Sequence, residues 1–163
     1  MGLIKVGRVI RPHGVKGAMK VSSDFKYKKD VFKPGNILTI NKKDYKLISY
    51  SFAGGGQLDI AALEGINTID DVIAIRQNDI YVDKRILNTD EILDQELIGL
   101  NVYLNNELIG MVEEVESGIN PLIILYHDNK KVYIPRQDVF IASIDIDQDR
   151  IELTNEAGGL LWK

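Results

Sequence analysis

Cysteine is missing from all 163 residues. Its absence excludes disulfides, thiolate zinc sites and cysteine nucleophiles, and it fits a reducing compartment. Histidine is almost as scarce. His13 and His127 are the only imidazoles, and neither has a second histidine at metal-ligand spacing. A serine triad would have to use one of them, and no Gly-x-Ser-x-Gly elbow exists to present the nucleophile. Apolar runs are short, well below the roughly eighteen residues that span a bilayer. The N-terminus enters a strand-like run without a signal peptide's apolar core, and Val6 stands where a myristoylation signal needs Ser or Thr. A soluble cytoplasmic protein without membrane association is expected.

What is present is charge, unevenly divided. Residues 1–90 hold 15 Lys+Arg against 10 Asp+Glu, a net of +5, and residues 91–163 hold 5 against 14, a net of −9. The first 46 residues carry 12 basic and 3 acidic side chains. Two modules facing different partners are expected, with nucleic acid the candidate for the basic one. Two solvated surfaces of opposite sign remain the simpler alternative.

Short alternating apolar runs between turn residues read as β-structure throughout. "LIKVGRVI" changes phase across Gly7, as a bulge does, and "AMKVSS", "NILTI", "YKLISYSF" and "QLDIAAL" follow. "NKKD" and "AGGG" read as hairpin turns. One helix stands out at "NTIDDVIAIR", where Thr68 and Asp71 form a capping-box pattern and Ile69, Val72, Ile73 and Arg76 share a face. The pattern breaks over "KRILNTDEILDQ" and resumes as hairpins from "LNVYL" to "DRIEL". The expected fold is all-β: two small antiparallel barrels in series, over 1–86 and 95–163, with a linker at 87–94 and one short helix in the first.

Several motifs imitate chemistry without completing it. "GVKGAMK" is too short for a phosphate loop and lacks the closing Gly-Lys-Ser/Thr. Gly-Gly-Gln at 55–57 lies between two strand-like runs, so it reads as a hairpin tip. "DIDQD" at 145–149 opens like a calcium loop, but Arg150 stands where that loop needs glycine. No metal or other cofactor is expected.

The basic N-terminal face is the remaining candidate. Arg8, Arg11, His13, Lys16 and Lys20 surround a glycine-rich corner, and Lys26, Lys28, Lys29 and Lys33 interleave with Phe25, Tyr27 and Phe32. Lysines attract phosphate without regard to sequence, and exposed aromatics stack on unpaired bases. Taken singly, an aromatic in a small barrel is more often a core plug, so the lysine cluster as a set is the better signal. Gly14 and Gly17 are expected to turn the chain at the corner, and Gly99 to make a turn in "LIGL".

"VGRVIRPHGVKGAMKVSS" followed by "FKPGNILTI" resembles the start of the bacterial ribosome maturation factor RimM family. "TIDDVIAIRQNDIYVD" is similar to that family's short helix and closing strand. "ELIGLNVYLNNELIGMVEEVES", "KVYIPRQDVFIASIDIDQDRIEL" and "GGLL" resemble the PRC-barrel of its second half. The resemblance implies a translation-factor-like barrel followed by a PRC-barrel. It implies an assembly factor rather than an enzyme, one that assists 16S rRNA processing without cofactor or small-molecule substrate. Its implied partners are the free small subunit, rRNA, and a basic ribosomal protein of the subunit head, number nineteen.

With that resemblance, Arg8, Arg11, His13, Lys16, Lys20, Lys28 and Lys29 become candidate rRNA contacts. Relatives commonly carry a Tyr-Tyr pair before the "LIG" motif, where this chain has Ile92 and Leu93 between Glu91 and Asp94. These four residues are candidates for binding the ribosomal protein, as an exposed apolar pair among acids. Alternatively, the pair packs the linker onto the barrel. A second departure is Asn120-Pro121, where relatives usually have Asn-Asp after a glycine. Two other readings stay open: a flavin-binding small-barrel reductase and a general RNA-binding module.

Overall fold

Strand alternation in the first half closes into a cylinder. The computed structural model describes residues 2–161 and divides into two units, Met1–Asp90 and Glu91–Lys163. The first contains β1 (Leu3–Pro12), β2 (Met19–Ser22), α1 (Lys28–Val31), β3 (Ile37–Ile40), β4 (Lys43–Ser51), β5 (Asp59–Leu63), α2 (Ile69–Ile75) and β6 (Asp79–Asp83). The strands form a closed barrel in the order β1-β2-β5-β4-β3-β6. Every neighbouring pair is antiparallel. Ile4, Val6, Val9, Met19, Val21, Leu38, Ile40, Leu47, Leu63, Ile80 and Val82 fill the inside. The expected phase change is real: the β1–β6 register shifts between Lys5 and Gly7. Asn41 and Lys42 turn the β3–β4 hairpin with φ of 51° and 66°.

Helix α2 has the capping box its sequence suggests. Thr68 accepts from the Asp71 amide at 3.1 Å, and the Asp71 carboxylate accepts from the Thr68 amide at 3.2 Å. Its buried face differs from the expected one. Val72 and Ile75 are buried, whereas Ile69 and Ile73 are exposed. The helix stops at Ile75, and Arg76 is already extended. Gln77 then ties the chain to β1, its amide donating to the Val9 carbonyl at 2.7 Å. Two turns anchored at that end rotate the Val72–Ile75 edge inward.

A 3-10 turn, Lys84–Leu87, ends the barrel. The second unit then contains α3 (Asp94–Leu97), β7 (Asn101–Leu104), β8 (Glu107–Met111), β9 (Glu114–Glu116), β10 (Leu122–His127), β11 (Lys130–Pro135), β12 (Ile141–Asp145), β13 (Arg150–Leu153), a 3-10 turn at Asn155–Ala157 and α4 (Gly158–Leu161). It has a three-stranded sheet, β11-β10-β9, and a four-stranded one, β12-β13-β7-β8. Val102, Ile109, Val112, Ile123, Leu125, Val132, Ile134 and Ile151 share one core with residues of α3 and α4. At Gly110 an added Cβ would lie 2.9 Å from the Tyr126 carbonyl oxygen, so β8 and β10 pass too closely for any side chain. "DIDQD" is the β12–β13 hairpin. One pairing departs from a wholly antiparallel barrel: β13 runs parallel to β7. Hairpin signals report neighbours in sequence, whereas these strands are separated by residues 105–149.

The two corner glycines are not equivalent. Both have positive φ, 72° at Gly14 and 95° at Gly17. A Cβ on Gly17 would lie 2.2 Å from the Ile66 carbonyl oxygen, whereas one on Gly14 would meet nothing. Gly17→Val is therefore expected to cost more than about 3 kcal/mol, strain plus a backbone clash, and Gly14→Val about 1–2 kcal/mol. Thermal melting of the two variants checks the order.

Candidate nucleic-acid interface

The corner between β1 and β2 is pinned by the His13 amide, which donates to the Ala18 carbonyl at 2.9 Å. Gly17 is pressed against the Ile66 backbone. Arg11, His13 and Lys16 are exposed on this corner, with Val15 71% exposed between them. Arg11 lies opposite Lys20 in the β1–β2 register, so two cations sit side by side on the barrel wall, Lys20 half-buried. Arg8 is differently placed. Its guanidinium donates to the Gln77 carbonyl at 2.8 Å and lies 3.9 Å from Asp79. It mainly ties β1 to the turn after α2.

The lysine-rich segment after β2 is held down by a buried carboxylate. Asp59 is 1% exposed on β5 and sits on that strand's inward phase with Ala61 and Leu63. It accepts from the Lys28 ammonium at 2.9 Å, the Tyr50 hydroxyl at 2.6 Å and the Ala53 amide at 2.9 Å. Burial by itself would raise the Asp59 carboxyl. The bonds from Lys28, Tyr50 and Ala53 outweigh it and hold the group below the usual carboxylate value. Burial and the hydrogen bond to Asp59 both push the Tyr50 phenol up, so it stays protonated. Lys28 also donates to the Ser23 carbonyl at 3.3 Å.

Lys28 therefore has to be corrected as an rRNA contact: its charge is spent on Asp59 inside the protein. Lys29, with Lys26 and Lys33, remains exposed. Phe32 is buried and stacks on Tyr50 at 4.2 Å and 6°. Phe25 and Tyr27 are half-buried in an edge-to-face pair at 6.2 Å. Sequence reading missed Asp59, Tyr50 and Phe52. The signal for Asp59 was there: a charge on the buried phase of "LDIAAL" requires a partner.

The acidic candidates in the second unit also need correction. Leu93 is 7% exposed and Ile92 packs against the second core, so they are not an exposed apolar pair. The Glu96 carboxylate accepts from the Leu93 amide at 2.8 Å, which fixes the entry to α3. Asp94 pairs with Arg136 at 2.7 Å and accepts from the Ser117 hydroxyl. Arg136 also donates to the Ile92 carbonyl at 2.8 Å. Residues 91–94 thus belong to the second unit rather than to a free linker: Ile92 packs against its core, and Arg136 holds Asp94 and the Ile92 carbonyl. Glu91 is half-buried beside them. Gly99 makes its turn with φ of 91°.

Among the described residues no three His, Cys, Asp or Glu side chains gather as metal ligands. No helix among them is long and apolar enough to cross a membrane. An open groove of about 560 Å³ on the barrel is lined by Leu3, Asn36, Ile37, Thr39 and Ile86, with Asp44 and Asp83 as its charges. Asp83 is paired there with Arg85 at 2.6 Å, and Asp44 accepts from the Thr39 hydroxyl at 2.7 Å.

Two family models match in order along the chain: the RimM N-terminal domain over residues 4–87 and the RimM PRC barrel domain over residues 94–158. A ribosome maturation factor RimM from Staphylococcus aureus strain MRSA252 is 28% identical over 165 residues, covering 95% of this chain and 97% of its own. A crystal structure of a Pseudomonas aeruginosa RimM, described as a 16S ribosomal RNA processing protein, aligns with a TM-score of 0.46 and 17% identity, covering 96% of this chain and 99% of that one. The solution structure of the N-terminal domain of RimM from Thermus thermophilus aligns with a TM-score of 0.47 and 15% identity, covering 56% of this chain and 100% of that one.

Breaking the buried pair leaves Asp59 without its cation, so Lys28→Met is expected to destabilise the first unit by about 3 kcal/mol. Chemical denaturation measures this. Because the folded-state value of Asp59 is lowered, its contribution is full above the unfolded value of about 4 and fades as pH falls through the folded one. Asp59→Asn should flatten that acid limb in melts taken between neutral and strongly acidic pH.

In the second unit, Leu93→Ala should cost about 2–4 kcal/mol, as truncation of a buried leucine does. An unchanged melting temperature would show that Leu93 does not pack there.

Proposed function

Because the chain belongs to the RimM family of ribosome maturation factors, matched in both of its domains, we propose that it assists 16S rRNA processing on the immature small subunit. The observation that carries this reading is the ordered match of both domains across nearly the whole chain. The division of charge supports a division of labour. The first unit, with Arg11, His13 and Lys16 on its corner and Lys26, Lys29 and Lys33 beyond it, suits rRNA phosphates. The second half, net −9 over residues 91–163, suits a basic ribosomal protein of the subunit head, number nineteen in the small subunit. Complementary charge there speeds encounter and disfavours wrong partners.

The mode of action is binding. The protein favours one conformation of an assembling subunit and raises its population by the difference in its affinities for that conformation and its competitors. No bond is made or broken. The place of action is the cytoplasm, where subunits assemble.

Sedimentation of cell extract tests the function: the protein is expected with free small subunits and absent from joined ribosomes. Migration away from all subunits would reject it. Yellow protein with flavin absorbance would favour a reductase instead. For the first unit, Arg11→Ala, Lys16→Ala and Lys29→Ala together should reduce the slope of log affinity for rRNA against log salt by about 2–3, close to one per lost phosphate contact. An unchanged slope would move the contact off this face.

A further inference from the structure

In the first unit, Phe52 is the exposed aromatic that neither the core nor the charged corner accounts for. It follows β4 directly and is 42% exposed. Behind it the rings form a series running out from the interior. Phe32, 2% exposed, stacks on Tyr50, and Tyr50 meets Phe52 at 4.8 Å with a 58° tilt. The series ends at the surface on Phe52.

Two features separate this ring from an ordinary exposed apolar residue. The first is preorganisation. Tyr50, two residues before it, and Ala53, the residue after it, are bonded to the same buried carboxylate, the Tyr50 hydroxyl at 2.6 Å and the Ala53 amide at 2.9 Å from Asp59. The backbone that carries the ring is thereby fixed before any ligand arrives, which lowers the entropy lost on binding. The second is clearance. The loop beyond is Gly54, Gly55 and Gly56, where an added Cβ would meet nothing within 4 Å. No side chain from these three residues covers the ring.

The neighbouring segment has a small cationic excess, exposed Lys26, Lys29 and Lys33 against exposed Asp24 and Asp30. The Lys28 ammonium lies 5.6 Å from the centre of the Phe52 ring, neutralised by Asp59. Its chain neighbours Lys26 and Lys29 are exposed, and the Lys26 ammonium lies 5.1 Å from the Tyr27 ring. A rigid ring, 42% exposed with the Lys28 ammonium over it and next to a lysine-rich segment, matches the chemistry of an unpaired nucleotide: a base on the ring's exposed part, phosphates along the lysines.

We propose that Phe52 is a stacking platform for an unpaired base of single-stranded RNA, with Lys26 and Lys29 holding the adjoining phosphates. This rests on the reading of the first unit as RNA-binding. It adds a particular contact and a preference for single strands, because a base inside a duplex has no free face to offer.

The test uses the full chain, a labelled single-stranded oligoribonucleotide and a duplex of the same sequence, titrated over a range of salt, with a basic small-subunit ribosomal protein titrated in parallel. Phe52→Leu keeps an apolar side chain and removes the aromatic face, and Phe52→Trp restores one. Stacking and charge separate cleanly here. Phe52→Leu is expected to weaken single-strand binding about tenfold at every salt concentration with the salt slope unchanged, the size of one lost base stack. Phe52→Trp should bind like the parent, and duplex binding should ignore both changes. Lys26→Ala with Lys29→Ala should lower the slope instead.

Wild-type affinity in Phe52→Leu, with the lysine variant still losing slope, overturns the platform and leaves the unit an RNA binder by charge. Equal losses in the Leu and Trp variants, with a lowered melting temperature, overturn it as a packing effect. Loss of binding to a basic ribosomal protein, with RNA binding intact, makes the ring a protein contact and also overturns it. No RNA binding by the parent rejects the wider reading of the first unit, an outcome distinct from the other three.

Discussion

A carboxylate placed inside a barrel must be satisfied or it destabilises the fold, and Asp59 is satisfied from three directions. Lys28 comes from the segment after β2, Tyr50 from β4, and Ala53 from the loop that follows. Leaving a buried charge unmatched costs several kcal/mol, so these segments are bound to one another more firmly than their own propensities would hold them. Helix α1 has four residues, far too short to persist in isolation. It stands where it does because Lys28 reaches the carboxylate and because Val31 and Phe32 are buried beneath it. The exposed lysines on either side are carried into place by a pair they do not belong to. What the first unit shows to its surroundings therefore depends on something hidden inside it.

The second unit is organised by a different constraint. Its entry, 91–94, is held by Leu93 in the core, Glu96 on the Leu93 amide, and Arg136 across Asp94 and the Ile92 carbonyl. Two acids among the unit's fourteen are thereby absorbed internally. The remaining charge comes mostly from exposed positions such as Glu107, Glu113, Glu114, Glu116 and Asp147. The unit's acidity is thus spread over its surface rather than focused on the stretch that joins it to the barrel.

How legible this was depended on the range of each interaction. Alternation located the strands, because a sheet with one buried face imposes a period of two on the chain that forms it. The Thr68–Asp71 box was legible because its partners are three residues apart. The face that α2 buries was not, since Gln77 on Val9 sets it across 68 residues of chain. Likewise nothing local in "NVYL" or "RIEL" announces that these strands run side by side and parallel. Among the candidate residues, the exposure of Arg11, His13 and Lys16 was readable from a glycine-rich corner dense in base. Lys28 was misread because its pairing with Asp59 spans 31 residues, and a lysine among lysines gives no hint that it faces inward. Ile92 looked exposed for the same reason: the core it packs against is assembled from strands much later in the chain.

The parallel pairing of β7 with β13 has a bearing on how the chain comes into being. β7 lies near the start of the second unit and β13 near its end, at Asn101–Leu104 and Arg150–Leu153. During synthesis β7 emerges early but cannot acquire this neighbour until β13 has also been made. The barrel of the first unit closes on β6, which is complete at Asp83, so it can form while the rest is still being translated. For a time the nascent protein therefore has a finished basic half and an acidic half without its central sheet. A polypeptide whose relatives act on ribosomes would meet its first ribosome, the one that makes it, in that half-formed state.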